Sequence, residues 1–256
     1  MSDKCILKVY GGLGNQLFQI AAAMAYCEET GKELQLVPCD GNRRTYYWNS
    51  LLSGFADKII HETPASTPIY KEVGFSYTSI PHLNGNIVLD GYFQSSKYFG
   101  HKHRDFINWP LSPSTINVGP KTVIVHARRG DYLANEWNKL VHGPLPESYY
   151  KLAFDIMLKQ LGDDAEFILI SDDNSYWSFD FLKDLKTTIF NGNDIETLAL
   201  MKQCNNFIIA NSTFSWWGAY LAKATNVIAP NRWFGIRGPQ DWHDIYEPSW
   251  IQIPVE

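Results

Sequence analysis

Between residues 123 and 229, short apolar runs alternate with stretches of helical periodicity, and this alternation limits the available folds more than any other feature of the chain. Residues 123–126 read as a buried strand. The segment 147–161 carries Tyr150, Ala153, Phe154, Met157, Leu158 and Leu161 along one helical stripe, and 167–170 is a second apolar run. A helix over about 196–203, a strand over 207–210, a helix over 216–224 and a strand over 227–229 continue the series. Strands separated by helices imply crossover connections, hence a parallel sheet with helices on both faces. Ligands of such sheets settle outside the carboxyl ends of the strands. Arg128, Arg129, Asp172, Asp173, Asn211, Ser212 and Thr213 all fall at those ends.

A second strand–turn–helix pattern opens the chain. Residues 6–10 are β-like, Gly11-Gly12-Leu13-Gly14 is a glycine-rich turn, and Leu17, Ile20, Ala21, Met24 and Cys27 recur at helical spacing until Gly31, a C-terminal stop. Gly12-Leu13-Gly14 departs from the dinucleotide fingerprint because Leu17 occupies the place of the third glycine, and there is no Walker lysine. The turn reads either as a tight connection or as backbone amides lining a cleft. From 36 to 90 periodicity is weak until the strand-like 87–89, which precedes Gly91-Tyr92-Phe93-Gln94. The turn formers of 109–120 mark a boundary, which gives domains 1–115 and 116–256.

A length of 256 residues admits that division. The formal charge of −5 argues against a nucleic-acid binder that relies on a broad basic surface. Cys5, Cys27, Cys39 and Cys204 show no metal-ligand spacing, so free thiols in a reducing compartment are expected. The longest apolar runs, such as 20–27, fall short of the roughly 20 residues that span a bilayer. These features predict a cytoplasmic protein without a transmembrane segment; peripheral membrane association stays open.

Arg128 and Arg129 end the first apolar run of the second half, just before Gly130-Asp131-Tyr132. Guanidinium groups offer forked donors that match phosphate oxygens and stay charged near neutral pH. The competing role is structural, as ion pairs with Asp131 and another carboxylate. Ser171-Asp172-Asp173 could hold a divalent metal that bridges phosphates, or could cap a turn. The arginines already provide a metal-free way to neutralise a diphosphate, so no metal is expected. Asn211-Ser212-Thr213-Phe214-Ser215 places hydroxyls and amides between a strand and a helix, where backbone N–H groups favour an anion. The pair Trp216-Trp217 behind it reads as core. Glu196 can accept hydrogen bonds from N1 and N2 of a guanine, or serve as a solvated acid at a helix start. Tyr46, Tyr47, Trp48, Tyr92 and Phe93 can stack on sugar rings or simply pack.

Taken in order, the segments 11–19, 126–132 (His-Ala-Arg-Arg-Gly-Asp-Tyr), 170–173 and 209–219 resemble the alpha-1,2-fucosyltransferase family, as do the tail segments 230–234 and 248–251. The resemblance implies an α/β enzyme of two Rossmann-like domains facing a cleft, a glycosyltransferase of the B type. It would be an inverting enzyme that uses GDP-β-L-fucose without a required metal, with the 2-hydroxyl of a terminal galactose as acceptor. Arg128 and Arg129 would hold the diphosphate, His126 would shape the guanosine site, and Asn211, Ser212, Thr213, Phe214 and Ser215 would line the donor pocket together with Asp172 and Glu196. Gly12, Gly14, Asn15 and Gln16 would face the cleft from the other domain. The base is undecided between Asp131, beside the arginines, and Glu136, further along the same loop, where related fucosyltransferase families carry a catalytically important carboxylate. Two alternatives remain: another GDP-fucose-dependent transferase of α1,6 or O-linked type, and a glycan- or nucleotide-sugar-binding module without turnover.

Overall fold

The computed structural model of the chain describes residues 2–41, 43–109 and 116–255. It forms two α/β units. The boundary expected between 115 and 116, and much of the turn-rich 109–120, fall on residues outside those described. One correction to the division concerns Asp241–Glu247, which groups with the N-terminal unit. Its two aspartates act there as caps: Asp241 Oδ2 accepts from Phe75 N (2.9 Å) and Asp244 Oδ2 from Tyr77 N (2.9 Å), while Ser95 Oγ donates to Asp244 O (2.6 Å). Such long-range polar links leave no periodic trace in a sequence.

The N-terminal unit contains β1 (Lys4–Val9), α1 (Leu13–Thr30), β2 (Glu33–Pro38), β3 (Ile69–Lys71) and β4 (Ile87–Asp90), in a parallel sheet of order β2-β1-β4-β3. Strand β1 is central and apolar on both faces, with Cys5, Ile6, Leu7 and Val9 fully buried against Leu17, Phe18, Ile20 and Ala21 of α1. Helix α1 stops where expected, at Gly31, whose φ of 69° suits a residue without a Cβ. Strands β2 and β3 escape the sequence reading because their faces are half-exposed and mixed in polarity. Tyr46 stacks on Trp48 and Tyr10 meets Tyr92 edge-on, whereas Phe93 is fully buried.

The C-terminal unit runs β5 (Thr122–Ala127), α2 (Glu136–His142), α3 (Glu147–Leu161), β6 (Glu166–Ser171), β7 (Lys186–Ile189), α4 (Asp194–Met201), β8 (Asn206–Ile208), α5 (Thr213–Leu221), β9 (Asn226–Pro230) and β10 (Ile251–Ile253). All strands are parallel in the order β10-β9-β8-β5-β6-β7. Counted within the unit this is 6-5-4-1-2-3, the doubly wound arrangement. After β7 the chain returns to the other side of β5, so the order reverses between β5 and β8. A crevice opens outside the carboxyl ends of strands at such a reversal.

Every residue of β5 is buried, as a central strand covered on both faces requires. Helix α3 matches its predicted span and buries Tyr149, Tyr150, Ala153, Phe154 and Met157. Helix α5 begins at Thr213, three residues before the expected start, because Ser212 is the last extended residue (φ −137°) and Thr213-Phe214-Ser215 already wind. Trp216 and Trp217 are both fully buried, each worth on the order of 3 kcal/mol of apolar burial. A Cβ at Gly218 would collide with Met201, so the glycine sets the close approach of α4 and α5. Much of the aromatic surplus is therefore core.

Candidate active site

The carboxyl end of β5 delivers Arg128 and Arg129 to the crevice, yet their surroundings differ. Arg128 is two-thirds buried. Its Nε donates to Asp131 Oδ1 (3.0 Å), its NH2 reaches the same oxygen (2.8 Å), and its NH1 lies 3.1 Å from Asp172 Oδ2. Burial opposes its charge, but Asp172 and Asp131 more than offset that and hold the guanidinium charged. Arg129 turns the other way and stacks 4.0 Å over the ring of Tyr176, with NH1 donating to Leu145 O (3.4 Å). Among the described residues its guanidinium makes no ion pair. The structural pairing considered for both arginines is thus present for Arg128 alone.

Asp172 ties the two together. Its Oδ1 accepts from Arg129 N (2.7 Å) while Oδ2 faces Arg128. A Cβ at Gly130 would stand 2.5 Å from Asp172 Oδ2, which explains the glycine between the arginines and Asp131. Asp173 serves a different purpose, accepting from Ser175 N and Ser175 Oγ at the start of a short turn. The two aspartates do not converge on one point. Among the described residues no group of three or more His, Cys, Asp and Glu side chains could hold a metal ion.

The opposite wall comes from β8 and α5. Asn211 is buried and its Nδ2 donates to His142 O (2.6 Å), Gly143 O (3.2 Å) and Trp233 O (2.9 Å). It clamps the end of β8 to the end of α2 and to the loop after β9. Ser215 Oγ donates into Ser212 O (3.2 Å), so its hydroxyl belongs to the turn. Helix α5 receives no side-chain capping bond from its N-cap residue, Ser212. Its positive end therefore points into the crevice beside the arginine loop, an arrangement that suits an anion. Tyr132 OH donates to Asn211 O (2.8 Å) and its ring stacks on His142 (4.4 Å between centroids), which joins the two walls. The sequence reading missed this joining role of Tyr132 and His142, and the stacking of Tyr176 under Arg129; only the tyrosine after Gly130-Asp131 hinted at it.

His126 lies in β5 against Phe214, with ring centroids 5.9 Å apart, and its Nδ1 is buried without a partner among the described residues. Burial, reinforced by the charge of Arg128, lowers its pKa to about 3, so the imidazole is neutral at pH 7. Because the unfolded chain binds this proton near the ordinary value of 6.5 and the folded chain does not, the contribution to stability is complete above 6.5. It is lost as the pH falls towards about 3, at about 1.4 kcal/mol per pH unit. Urea unfolding between pH 6.5 and 5 should show this slope, and His126→Phe should flatten it.

The remaining candidates are placed less centrally. Glu136 starts α2, is 84% exposed and pairs with Lys139. Glu196 lies at the start of α4, after β7 and two strands from β5; its Oε2 accepts from Asn193 N (2.9 Å) in a capping box, so here it serves the helix start. Gly12, Gly14, Asn15 and Gln16 all sit at the start of α1 in the N-terminal unit. Gln16 is buried, and its Nε2 staples Gly11 O (3.0 Å) to Thr45 O (2.8 Å), while Asn15 Oδ1 accepts from Gln94 Nε2 (3.0 Å). Gly11, at φ 84°, takes the left-handed backbone of that turn, which a residue without a Cβ adopts freely.

Residues 70–254 match the model of the family described as glycosyl transferase family 11. The chain belongs to that family. An alpha-1,2-colitosyltransferase of Escherichia coli is 28% identical over 97% of this chain and 98% of its own length. The galactoside alpha-(1,2)-fucosyltransferase 1 of Oryctolagus cuniculus is 24% identical over 86% of this chain and 65% of its own. Among solved structures, the fucosyltransferase NodZ from Bradyrhizobium superposes with a TM-score of 0.51 at 13% identity, covering 94% of this chain and 97% of that one. That likeness concerns the fold alone. The family 11 chain thus has the α/β, two-Rossmann-domain build of B-type glycosyltransferases, and among its described residues no helix is long and apolar enough to cross a membrane.

Proposed function

We propose that this family 11 glycosyltransferase moves L-fucose from GDP-β-L-fucose to the 2-hydroxyl of a terminal β-galactoside, with inversion and without a metal. The observation that carries this reading is the pair of arginines at the strand-order reversal, beside an α5 start whose N-cap residue Ser212 spends no side-chain bond on the helix. In the transfer, the acceptor oxygen forms a bond to the anomeric carbon as the bond from that carbon to the diphosphate breaks. Negative charge grows on the leaving diphosphate. Fixed cations and a helix end aimed at that charge stabilise the transition state more than the ground state. Arg128, oriented by two carboxylates, and Arg129, backed by Tyr176, supply the cations. Asp131 is held against Arg128, which favours it over Glu136 as the carboxylate that orients the site or takes the acceptor's proton. The four free thiols support a cytoplasmic setting.

A second reading, transfer of colitose in place of fucose, is favoured by the Escherichia coli relative, which aligns over almost the whole of both chains. GDP release from GDP-fucose and from GDP-colitose, with and without lactose and in the presence of a chelator, tests both, with the linkage of the product read by NMR. Lactose-dependent release from GDP-fucose and an α1,2 linkage are expected. Release from GDP-colitose alone would establish the second reading, and a need for added Mn²⁺ or Mg²⁺ would return Asp172 and Asp173 to the role of metal ligands.

A further inference from the structure

Helix α2 leaves the arginine loop with two large apolar side chains facing water. Trp137 is 63% exposed and Leu140, one turn on, is 43% exposed. The loop after β9 brings a third, Ile236, at 77%. Ile236 is held against the last turn of α2 by backbone bonds on either side of it, Gly235 N to Val141 O (2.8 Å) and Arg237 N to Leu140 O (2.9 Å). This meeting of segments almost a hundred residues apart is built in. A Cβ at Gly143 would lie 2.8 Å from Gly235 Cα, and one at Gly235 or Gly238 would run into the carbonyls of Leu140 or Val141. Burial of these apolar groups in the core would have been the cheaper arrangement, and a clustered exposed patch marks a contact surface.

The patch is also tied to the reaction loop. Asn138, the neighbour of Trp137, donates through Nδ2 to Asp131 O (2.7 Å), and Asn211 holds the end of α2 and the loop after β9 with one amide. It lies on the carboxyl edge of the sheet, where an acceptor must come to meet the donor. Its rim is charged, with the Glu136–Lys139 pair on one side and exposed Arg237 on the other. An apolar plate with a polar rim matches a pyranose ring, which has one face of C–H groups and an edge of hydroxyls. We propose that Trp137, with Leu140 and Ile236, forms a stacking platform for the saccharide acceptor and is a specificity determinant of the transfer. This rests on the glycosyl-transfer reading of the preceding subsection.

The test uses lactose as probe. Saturation-transfer NMR should show lactose bound to the full chain, with the signal lost in Trp137→Ala and largely kept in Trp137→Phe. In transfer assays Trp137→Ala should raise KM for lactose about tenfold while KM for GDP-fucose stays within about twofold. Trp137 is exposed, so the fold should persist; an unchanged thermal unfolding curve checks it. Unaltered lactose saturation and KM in Trp137→Ala, or no lactose saturation of the wild type, overturns the platform. So does co-sedimentation with phosphatidylglycerol vesicles that Trp137→Ala with Ile236→Ser abolishes while lactose binding is untouched, since the patch would then be a membrane contact. Lactose binding through Trp137 without any donor-dependent transfer would instead leave the platform standing and defeat the donor reading.

Discussion

Arg128→Ala is expected to lower turnover by about a hundredfold or more, because it removes the donor best oriented for charge on the leaving diphosphate. Asp131 and Asp172 both pair with this guanidinium, so the alanine variant also leaves two carboxylates facing each other without a cation. Binding of an anionic donor should suffer in addition to turnover. Arg128→Lys is no remedy, since an ammonium cannot fork towards Asp131 and Asp172 while presenting a further donor to the phosphate. The assay is GDP release in the presence of acceptor, with circular dichroism to verify the fold. Near-normal turnover in Arg128→Ala would assign the leaving-group role to Arg129, the arginine stacked on Tyr176 without a carboxylate partner among the described residues.

Asn211→Ala is expected to cost about 2–4 kcal/mol of stability, the largest effect foreseen for a polar residue of the unit. One buried amide serves the carbonyls of His142, Gly143 and Trp233, and its loss leaves them buried without that donor. Asn211→Asp should be worse, because it presents a carboxylate to three carbonyl oxygens. Urea unfolding should show a lower midpoint at unchanged m-value in both variants, ordered wild type, Ala, Asp. Equal midpoints for all three would mean that the clamp contributes nothing. Since Asn211 also holds α2 against the loop after β9, acceptor use should fall even where the variant is folded.

The two assignments for Asn211 show how far a sequence reading reaches. A small amide between a strand and a helix at the sheet's carboxyl edge was legible as a site residue, but its side chain spends its donor on the scaffold. Glu196 is similar: its position at a helix start was readable, whereas its capping-box partner Asn193 decides what the carboxylate does here. Asp172 went the other way. The strand-end Ser171-Asp172-Asp173 invited a metal or a turn, and the fold splits the pair: Asp173 caps a turn through Ser175, as one reading expected, while Asp172 goes to the arginines.

What the sequence determined by itself is everything that rests on local period and on residue chemistry. The buried run of β5, the stripe of α3, the stop at Gly31 and the two forked cations at a strand end follow from the polarity of neighbouring residues, which is fixed before any long-range contact forms. Tertiary structure alone decided the strand order and its reversal between β5 and β8, the return of Asp241–Glu247 to the N-terminal unit, the unequal neutralisation of Arg128 and Arg129, and the meeting of the end of α2 with the loop that carries Ile236. Each of these depends on pairs of residues far apart in the chain. Such pairings are selected by packing and by the requirement that buried polar groups find partners, and neither constraint leaves a period to read.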